Sequence, residues 1–313
     1  MITAPPRFAD TAARWIAEVH DAITAFFEEA DGVARFTEDR WERPGGGGGV
    51  SRVMVNGAVF EKAGVNRSVV SGILEPGMAA RLALAATPPA GARFFATGVS
   101  MVAHPRSPHV PTVHLNVRYF EISGPDGEVV DHWFGGGTDL TPTWPALEDA
   151  THFHRVLRRV CEQYGPELYP RYKRWCDEYF RNTHRDNEAR GVGGVFFDHL
   201  REGEAGLSFE ALHRFVNAIG RVLPEAYGSI VARRREQPWG ERERALQTFR
   251  RGRYAEFNLL HDRGTSFGLQ SGARAESVLM SLPPVATWDY APVFAPGSEE
   301  AKLMDMLKPR DWT

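Results

Sequence analysis

The chain has 313 residues, 42% of them apolar and 25% charged, which is ordinary for a globular protein and excludes global disorder. Its 37 basic and 40 acidic side chains leave a net charge of −3, so there is no overall basic field to hold nucleic acid or an anionic membrane. No apolar run approaches the roughly 18 residues of a membrane span, and Met1 to Asp10 carries two prolines and no apolar core of a secretory signal.

At about 150 residues per domain the length allows two domains or one large one. No linker forces a boundary, so a single domain over 1–313 is expected. Phe8, Ala12, Trp15, Ile16, Val19, Ile23, Phe26 and Phe27 follow helical spacing and predict an amphipathic opening helix. Pro44 and the glycines Gly45 to Gly49 read as a flexible surface loop. No Gly-Lys-Ser/Thr follows, so this is not a phosphate-binding loop. A strand-rich middle is predicted from about Arg52 to Phe134. Helices are expected over 149–163 and 167–182, a short strand over 194–199, and helices near 208–223 and 225–235. Strands are expected again near 253–261 and 276–282, then a C-terminal helix near 298–307. Strand clusters and helix clusters without regular βα alternation indicate an α+β fold. Cys161 and Cys176, the only cysteines, fall at core-like helical positions, which suits buried thiols in a reducing cytoplasm. Arginine outnumbers lysine by 33 to 4, so arginines count only by position.

The most informative stretch is Gly98 to Glu121. Side chains alternate faces along a strand. Ser100 and His104 therefore share a face of one strand, and His114, Asn116 and Arg118 share a face of the next, with Leu115, Val117 and Tyr119 behind. Pro105 to Thr112 is long enough to return the chain antiparallel. Pairing then gathers Ser, His, His, Asn and Arg on one face, a combination that points to a site rather than to simple solvation. His152 and His154 lie two apart on a helix, about 200° apart in projection, so only one can face inward. His154 is at the edge of the apolar stripe, and His184 follows the helix ending near Asn182. No HxxxH or CxxC supplies a local zinc signature.

Trp133 to Pro142 reads as a glycine-rich turn with Asp139 as a turn or capping residue. The strand expected at 253–261 leads into polar Asp262 and Arg263, and Gly268 to Arg274 forms a second glycine-bearing turn. Arginines beside such turns suit a substrate with several carboxylates. There is no GxGxxG after a strand and no GxSxG, and two cysteines cannot hold a four-thiolate cluster. Neither flavin, nicotinamide nor an iron–sulfur cluster is expected. A redox reaction would draw its electrons from the substrate itself or a weakly encoded metal.

Five blocks then carry a resemblance. They are Arg43-Pro-Gly-Gly-Gly-Gly-Gly-Val-Ser-Arg52, Phe60-Glu-Lys-Ala-Gly-Val-Asn66, Gly98 through Arg118, Trp133-Phe-Gly-Gly-Gly-Thr-Asp-Leu-Thr-Pro142, and Gly252 through Thr265. With Tyr169 to Phe180 they resemble the oxygen-dependent coproporphyrinogen III oxidases, from near residue 10 to Trp312. The resemblance implies a large antiparallel sheet flanked on both faces by helices and a cytoplasmic homodimer joined through about 254–289. It implies that two propionates of coproporphyrinogen III become vinyl groups with O₂ as electron acceptor and CO₂ released, giving protoporphyrinogen IX for haem. Ser100, Asn116, Val117, Arg118, Arg263, Gly272, Ala273 and Arg274 match substrate-contacting positions, although Ala273 stands where many relatives have glycine. His104, His114, His154 and His184 match positions assigned to a divalent metal, with His114 also a proton donor. Asp262 and Asp139 are the candidate acids for the pyrrole N–H. A non-enzymatic tetrapyrrole or haem carrier and a metal-dependent hydrolase are the alternatives, and neither would depend on O₂.

Overall fold

The first helix in the computed structural model, which describes residues 8–43, 46–80, 82–270 and 274–313, is α1 (Phe8–Asp31). Then come β1 (Thr37–Glu42), β2 (Gly47–Val55), β3 (Phe60–Ile73), the short α2 (Pro76–Ala79), β4 (Arg93–Pro105), β5 (Thr112–Ser123) and β6 (Val129–Thr141). Helices α3 (Leu147–Glu162) and α4 (Leu168–Tyr179) lead to the two-residue strands β7 (Arg181–Asn182) and β8 (Glu188–Ala189), and then to β9 (Gly193–Leu200). The rest is helical: α5 (Phe209–Gly220), α6 (Leu223–Ala226), α7 (Gly228–Arg234), α8 (Glu241–Leu260), α9 (Arg263–Gln270), α10 (Ala275–Leu279) and α11 (Glu299–Met306).

Strands β1 to β6 and β9 form one antiparallel sheet of seven strands, in chain order apart from the detour through α3 and α4 that precedes β9. The α+β expectation stands, with one domain built on this sheet. Alternation divides its two faces. On one, Val65, Val99, Met101, Leu115 and Val117 are buried beneath α1 and α5. Helix α1 supplies Ala12, Trp15, Ile16, Val19, Ile23 and Phe27 to this core, the stripe that its sequence spacing predicts. Each large apolar side chain buried here is worth about 1.5–3 kcal/mol relative to exposure. α5 adds Leu212, Phe215, Val216 and Ile219, and begins at Ser208, whose hydroxyl accepts the Ala211 N–H at 3.3 Å. The opposite face of the sheet lies under α8, α9 and α10, and it is this face that carries the polar residues.

The structure departs from expectation in three respects. Residues 253–261 and 276–282 are not strands: the first closes α8 and the second begins within α10. Helix α8 hides its period because it is buried on nearly every side from Leu246 to Asn258 and holds Arg250, Arg251 and Arg253 inside. Charges at buried positions erase the apolar repeat that would betray a helix. They are tolerated because each is paired: Arg250 with Glu188, Arg251 with Glu61 at 2.8 Å and Arg253 with Glu256 at 3.2 Å. Gly252 stands within the helix because a Cβ there would lie 2.4 Å from the Thr287 carbonyl of the C-terminal segment. Second, Trp133 to Thr141 is not a turn but the greater part of β6. Third, Gly47 to Gly49 belong to β2 rather than to a loop, while Pro44 and Gly45 fall outside the described residues.

Candidate active site

Strand register sets the polar face in rows. Asn66, Ser100 and Asn116 are successive partners across β3, β4 and β5. Gly98, Arg118 and Gly135 are partners across β4, β5 and β6, as are Val102, His114 and Asp139. Between this floor and the ends of α4, α8, α9 and α10 lies a cavity of about 550 Å³, bordered by Ser100, His114, Asn116, Arg118, Asp262 and Arg263. Its size is in the range of pockets that enclose a large organic ligand. Six of the residues singled out in sequence thus come together. Val117 also borders it, but its side chain belongs to the buried core on the other face.

The best-organised group is His114. Its Nδ1 is 2.8 Å from Asp139 Oδ1, and a carboxylate only accepts, so Nδ1 carries the proton. In the neutral ring Nε2 is then a lone pair, 3.4 Å from the Asn116 amide nitrogen. Asp139 is 1% exposed and does not reach the cavity. It is neither turn nor cap, and it cannot touch a ligand ring; it orients His114 instead. Both its oxygens also accept from Arg190, at 2.8 and 2.7 Å. Burial alone would raise its carboxyl, but Arg190 and His114 outweigh that and hold it below the usual carboxylate range. Arg190, itself 2% exposed, lies 4.0 Å over the Phe180 ring and 4.6 Å over Tyr254, and donates to Asn258 at 2.9 Å.

A second charged group is Arg118, paired with Asp198 at 2.8 Å. Gly135 makes the pair possible, since a Cβ there would lie 2.7 Å from both Arg118 Nε and Asp198 Oδ1. A third is at the junction of α8 and α9. Asp262 Oδ2 accepts from the Thr265 N–H at 2.7 Å and from its hydroxyl at 2.9 Å, which makes Asp262 the N-terminal cap of α9. The Tyr179 hydroxyl donates to Asp262 Oδ1 at 3.0 Å and accepts from the Arg263 N–H at 3.1 Å. The Arg263 guanidinium lies 4.9 Å over the Tyr179 ring, which is itself stacked on Phe196 at 4.4 Å.

The remaining candidates are elsewhere. Arg274 pairs with Asp39 of β1 at 2.7 Å and with Glu276 at 3.3 Å, away from the cavity lining, because Ala275 begins a helix and not a strand. Gly272 and Ala273 lie outside the described residues. All four histidines have both ring nitrogens in contact with polar groups of the chain, His114 through Asp139 and the Asn116 amide. His104 is fully buried; Nε2 donates to the Ser281 carbonyl at 2.9 Å and Nδ1 accepts from Thr112 at 3.3 Å. His154 is equally buried; Nε2 donates to the Val192 carbonyl at 3.0 Å and Nδ1 accepts from Tyr169 at 2.9 Å. His184, on the outside, is held by Glu256 at 3.0 Å and by His261 at 2.7 Å. A metal needs an available lone pair, and of the four only His114 borders the cavity, with the Asn116 amide 3.4 Å from its Nε2. Among the described residues no group of three or more His, Cys, Asp or Glu is placed to hold a metal ion. Among the described residues the four histidines implied by resemblance are thus not gathered into one group.

The two buried rings have a measurable consequence. Burial pushes His104 and His154 each down to about 3. Their unfolded forms take up protons below about pH 6.5 while the folded forms stay neutral. The unfolded state binds more protons in that window, so stability falls as pH drops from about 6.5 toward 3. In urea titrations, His154→Gln is expected to flatten the dependence between pH 6.5 and 5; an unchanged slope would mean that His154 titrates normally in the fold.

Sequence reading overlooked Arg190, Asp198, Tyr179 and Asn258. Asp198 had a signal, since it directly follows the apolar run Val195-Phe196-Phe197 within a predicted strand. Arg190 had none, because burial of a charge is invisible in sequence. The sequence profile of a protein family described as Coproporphyrinogen III oxidase matches residues 11–312, nearly the whole chain.

Proposed function

Because the chain belongs to the coproporphyrinogen III oxidase family, we propose that this cavity binds coproporphyrinogen III while two of its propionates are converted to vinyl groups. The observation that carries the reading is the oriented His114, whose Nε2, 3.4 Å from the Asn116 amide, opens onto a cavity that also presents Arg118, Arg263 and Asp262. In each conversion the bond to the carboxyl carbon breaks and its electron pair enters the new double bond. CO₂ leaves, and a hydride equivalent departs from the carbon next to the ring. Two conversions release four electrons and two protons; with two more protons they reduce one O₂ to two waters. Asp262 Oδ1 is the acceptor for a pyrrole N–H, and Arg263 binds a propionate. His114 exchanges a proton at Nε2, and the aromatic wall of Tyr179, Phe180 and Phe196 limits access of water.

Incubation with coproporphyrinogen III, with and without O₂ and with chelator, tests this by product analysis. Protoporphyrinogen IX and CO₂ formed only with O₂ is the expected result. Conversion should persist with chelator, because of the four histidines only His114 borders the cavity. Tight binding without conversion would favour the carrier instead.

The chain is also inferred to act as a cytoplasmic homodimer. Its two unpaired buried cysteines suit a reducing compartment, and no helix among the described residues is long and apolar enough to cross a membrane. Within 254–289, Phe257 and Met280 serve the chain's own interior, whereas Leu259 and Leu260 are 49% and 64% exposed at the end of α8. Those two leucines would be covered by a second copy. Sedimentation equilibrium should give twice 34.9 kDa; a monomer mass at micromolar protein would overturn the inference.

A further inference from the structure

The end of β9 is irregular in a way that the sheet alone does not require. Phe134 pairs with Leu200 and Gly136 with Phe197, so Asp198 and His199 together stand opposite the single residue Gly135. This is a β-bulge, and His199 takes the left-handed conformation there, with φ of 52°. Phe197 and Leu200 keep to the core, while Asp198 and His199 both turn to the cavity. Bulges and left-handed non-glycine residues re-aim side chains at sites. What this one aims is a carboxylate: Asp198 Oδ2 pairs with Arg118 at 2.8 Å, and Oδ1 accepts from the His199 N–H at 2.9 Å.

In a pocket for a polycarboxylate this arrangement is paradoxical. A cation meant only to bind a propionate is best left unpaired, and a neighbouring carboxylate opposes the ligand. Arg263 follows the first pattern: it makes no ion pair with any described residue. Arg118 follows the second. The difference matches two fates of a propionate. One that is retained keeps its charge, and a free cation serves it throughout. One that is lost becomes neutral CO₂ as its electron pair moves into the vinyl bond. A free cation would stabilise that carboxylate in the ground state more than in the transition state, which slows the step. A guanidinium already balanced by a carboxylate can still orient the group by hydrogen bonds, without net attraction.

We propose that Asp198 is a positioning residue that keeps Arg118 charge-balanced, so that the Arg118 end of the cavity receives the propionate to be lost and Arg263 one that is kept. This rests on the function proposed above. It places the substrate in the cavity and gives the bulge and Gly135 a common purpose. The low carboxyl of Asp198, which burial would raise but Arg118 pulls below the usual range, keeps it ionised at neutral pH.

Asp198→Asn keeps the size and the acceptor to His199 and removes the charge. For coproporphyrinogen III, KM is expected to fall by roughly threefold to tenfold while kcat falls by about tenfold or more, a split that loss of fold does not produce. Coproporphyrin III, which carries the four propionates but is not turned over, should bind more tightly by a similar factor when followed by fluorescence quenching. Asp198→Ser should behave alike. Binding that is unchanged or weaker in folded variants, or unchanged kcat, would overturn the proposal, as would failure of both variants to fold. Absence of conversion by the unaltered protein would instead strike at the functional reading itself.

Discussion

Asp139→Asn is expected to lower turnover by about 10²-fold or more while KM stays within a few fold. Asp139 touches no ligand; it acts through His114 Nδ1 at 2.8 Å. An amide in its place can present N–H to Nδ1, and the ring then carries its proton on Nε2. The neutral ring would have no lone pair left toward the cavity. Because binding groups such as Arg263 are untouched, the loss should appear in kcat. There is a stability cost as well. Arg190 would lose its counter-charge in a 2% exposed position, and breaking a buried pair typically costs about 3–5 kcal/mol. The carboxyl of Asp139 is depressed in the fold, so its contribution to stability is present above the unfolded value and fades as pH falls through the folded one. His114→Ala should lose as much turnover as Asp139→Asn, and the double variant little more, since the two act as a unit. His152 is the internal control. It lies apart from the cavity, 3.1 Å from the Glu225 carbonyl and 2.8 Å from the Ser229 hydroxyl, and His152→Ala should stay within a few fold. Near-normal turnover in folded Asp139→Asn would show that the tautomer of His114 does not matter.

The hairpin of β4 and β5 was legible because a strand repeats every two residues. That period alone placed Ser100, His114, Asn116 and Arg118 on one face, and the structure puts all four at the cavity. Helix α8 was not legible, because its interior is built from paired arginines and a glycine, and an apolar repeat is what sequence reading detects. The same limit explains His104 and His154. A histidine that is buried and satisfied by two neutral partners looks, in sequence, the same as one with a free lone pair. Arg274 was placed with the substrate because it ends a glycine-bearing turn and matches a substrate-contacting position by resemblance; the structure pairs it with Asp39 instead. Asp139 was recognised as important but given the wrong neighbours, since reading Gly135 to Gly137 as a turn concealed that β6 runs through them beside His114.

Asp262→Asn should lower turnover by about 10²-fold or more with little change in stability. Two readings of this residue compete, and the geometry separates them. As a cap, Asp262 uses Oδ2 to hold the Thr265 N–H and hydroxyl at the start of α9. Asparagine caps a helix about as well as aspartate, so a purely structural Asp262 would tolerate the change. As the pyrrole acceptor it uses Oδ1, which already receives the Tyr179 hydroxyl at 3.0 Å and has a further lone pair for the ligand. An asparagine oxygen can take one of these roles but carries no charge to balance a pyrrole that becomes cationic as it loses a hydride equivalent. Asp262→Ala removes cap and charge together and should cost a further 1 kcal/mol or about that in stability. Arg263→Ala should differ in kind, raising KM strongly with a smaller effect on kcat, because the guanidinium holds a carboxylate that is present before and after the chemical step. Thermal unfolding and steady-state kinetics on these three variants decide the matter. Normal turnover in a folded Asp262→Asn would leave Asp262 as a helix cap beside the cavity and move the search for the pyrrole acceptor to Asp198, the other carboxylate that borders it.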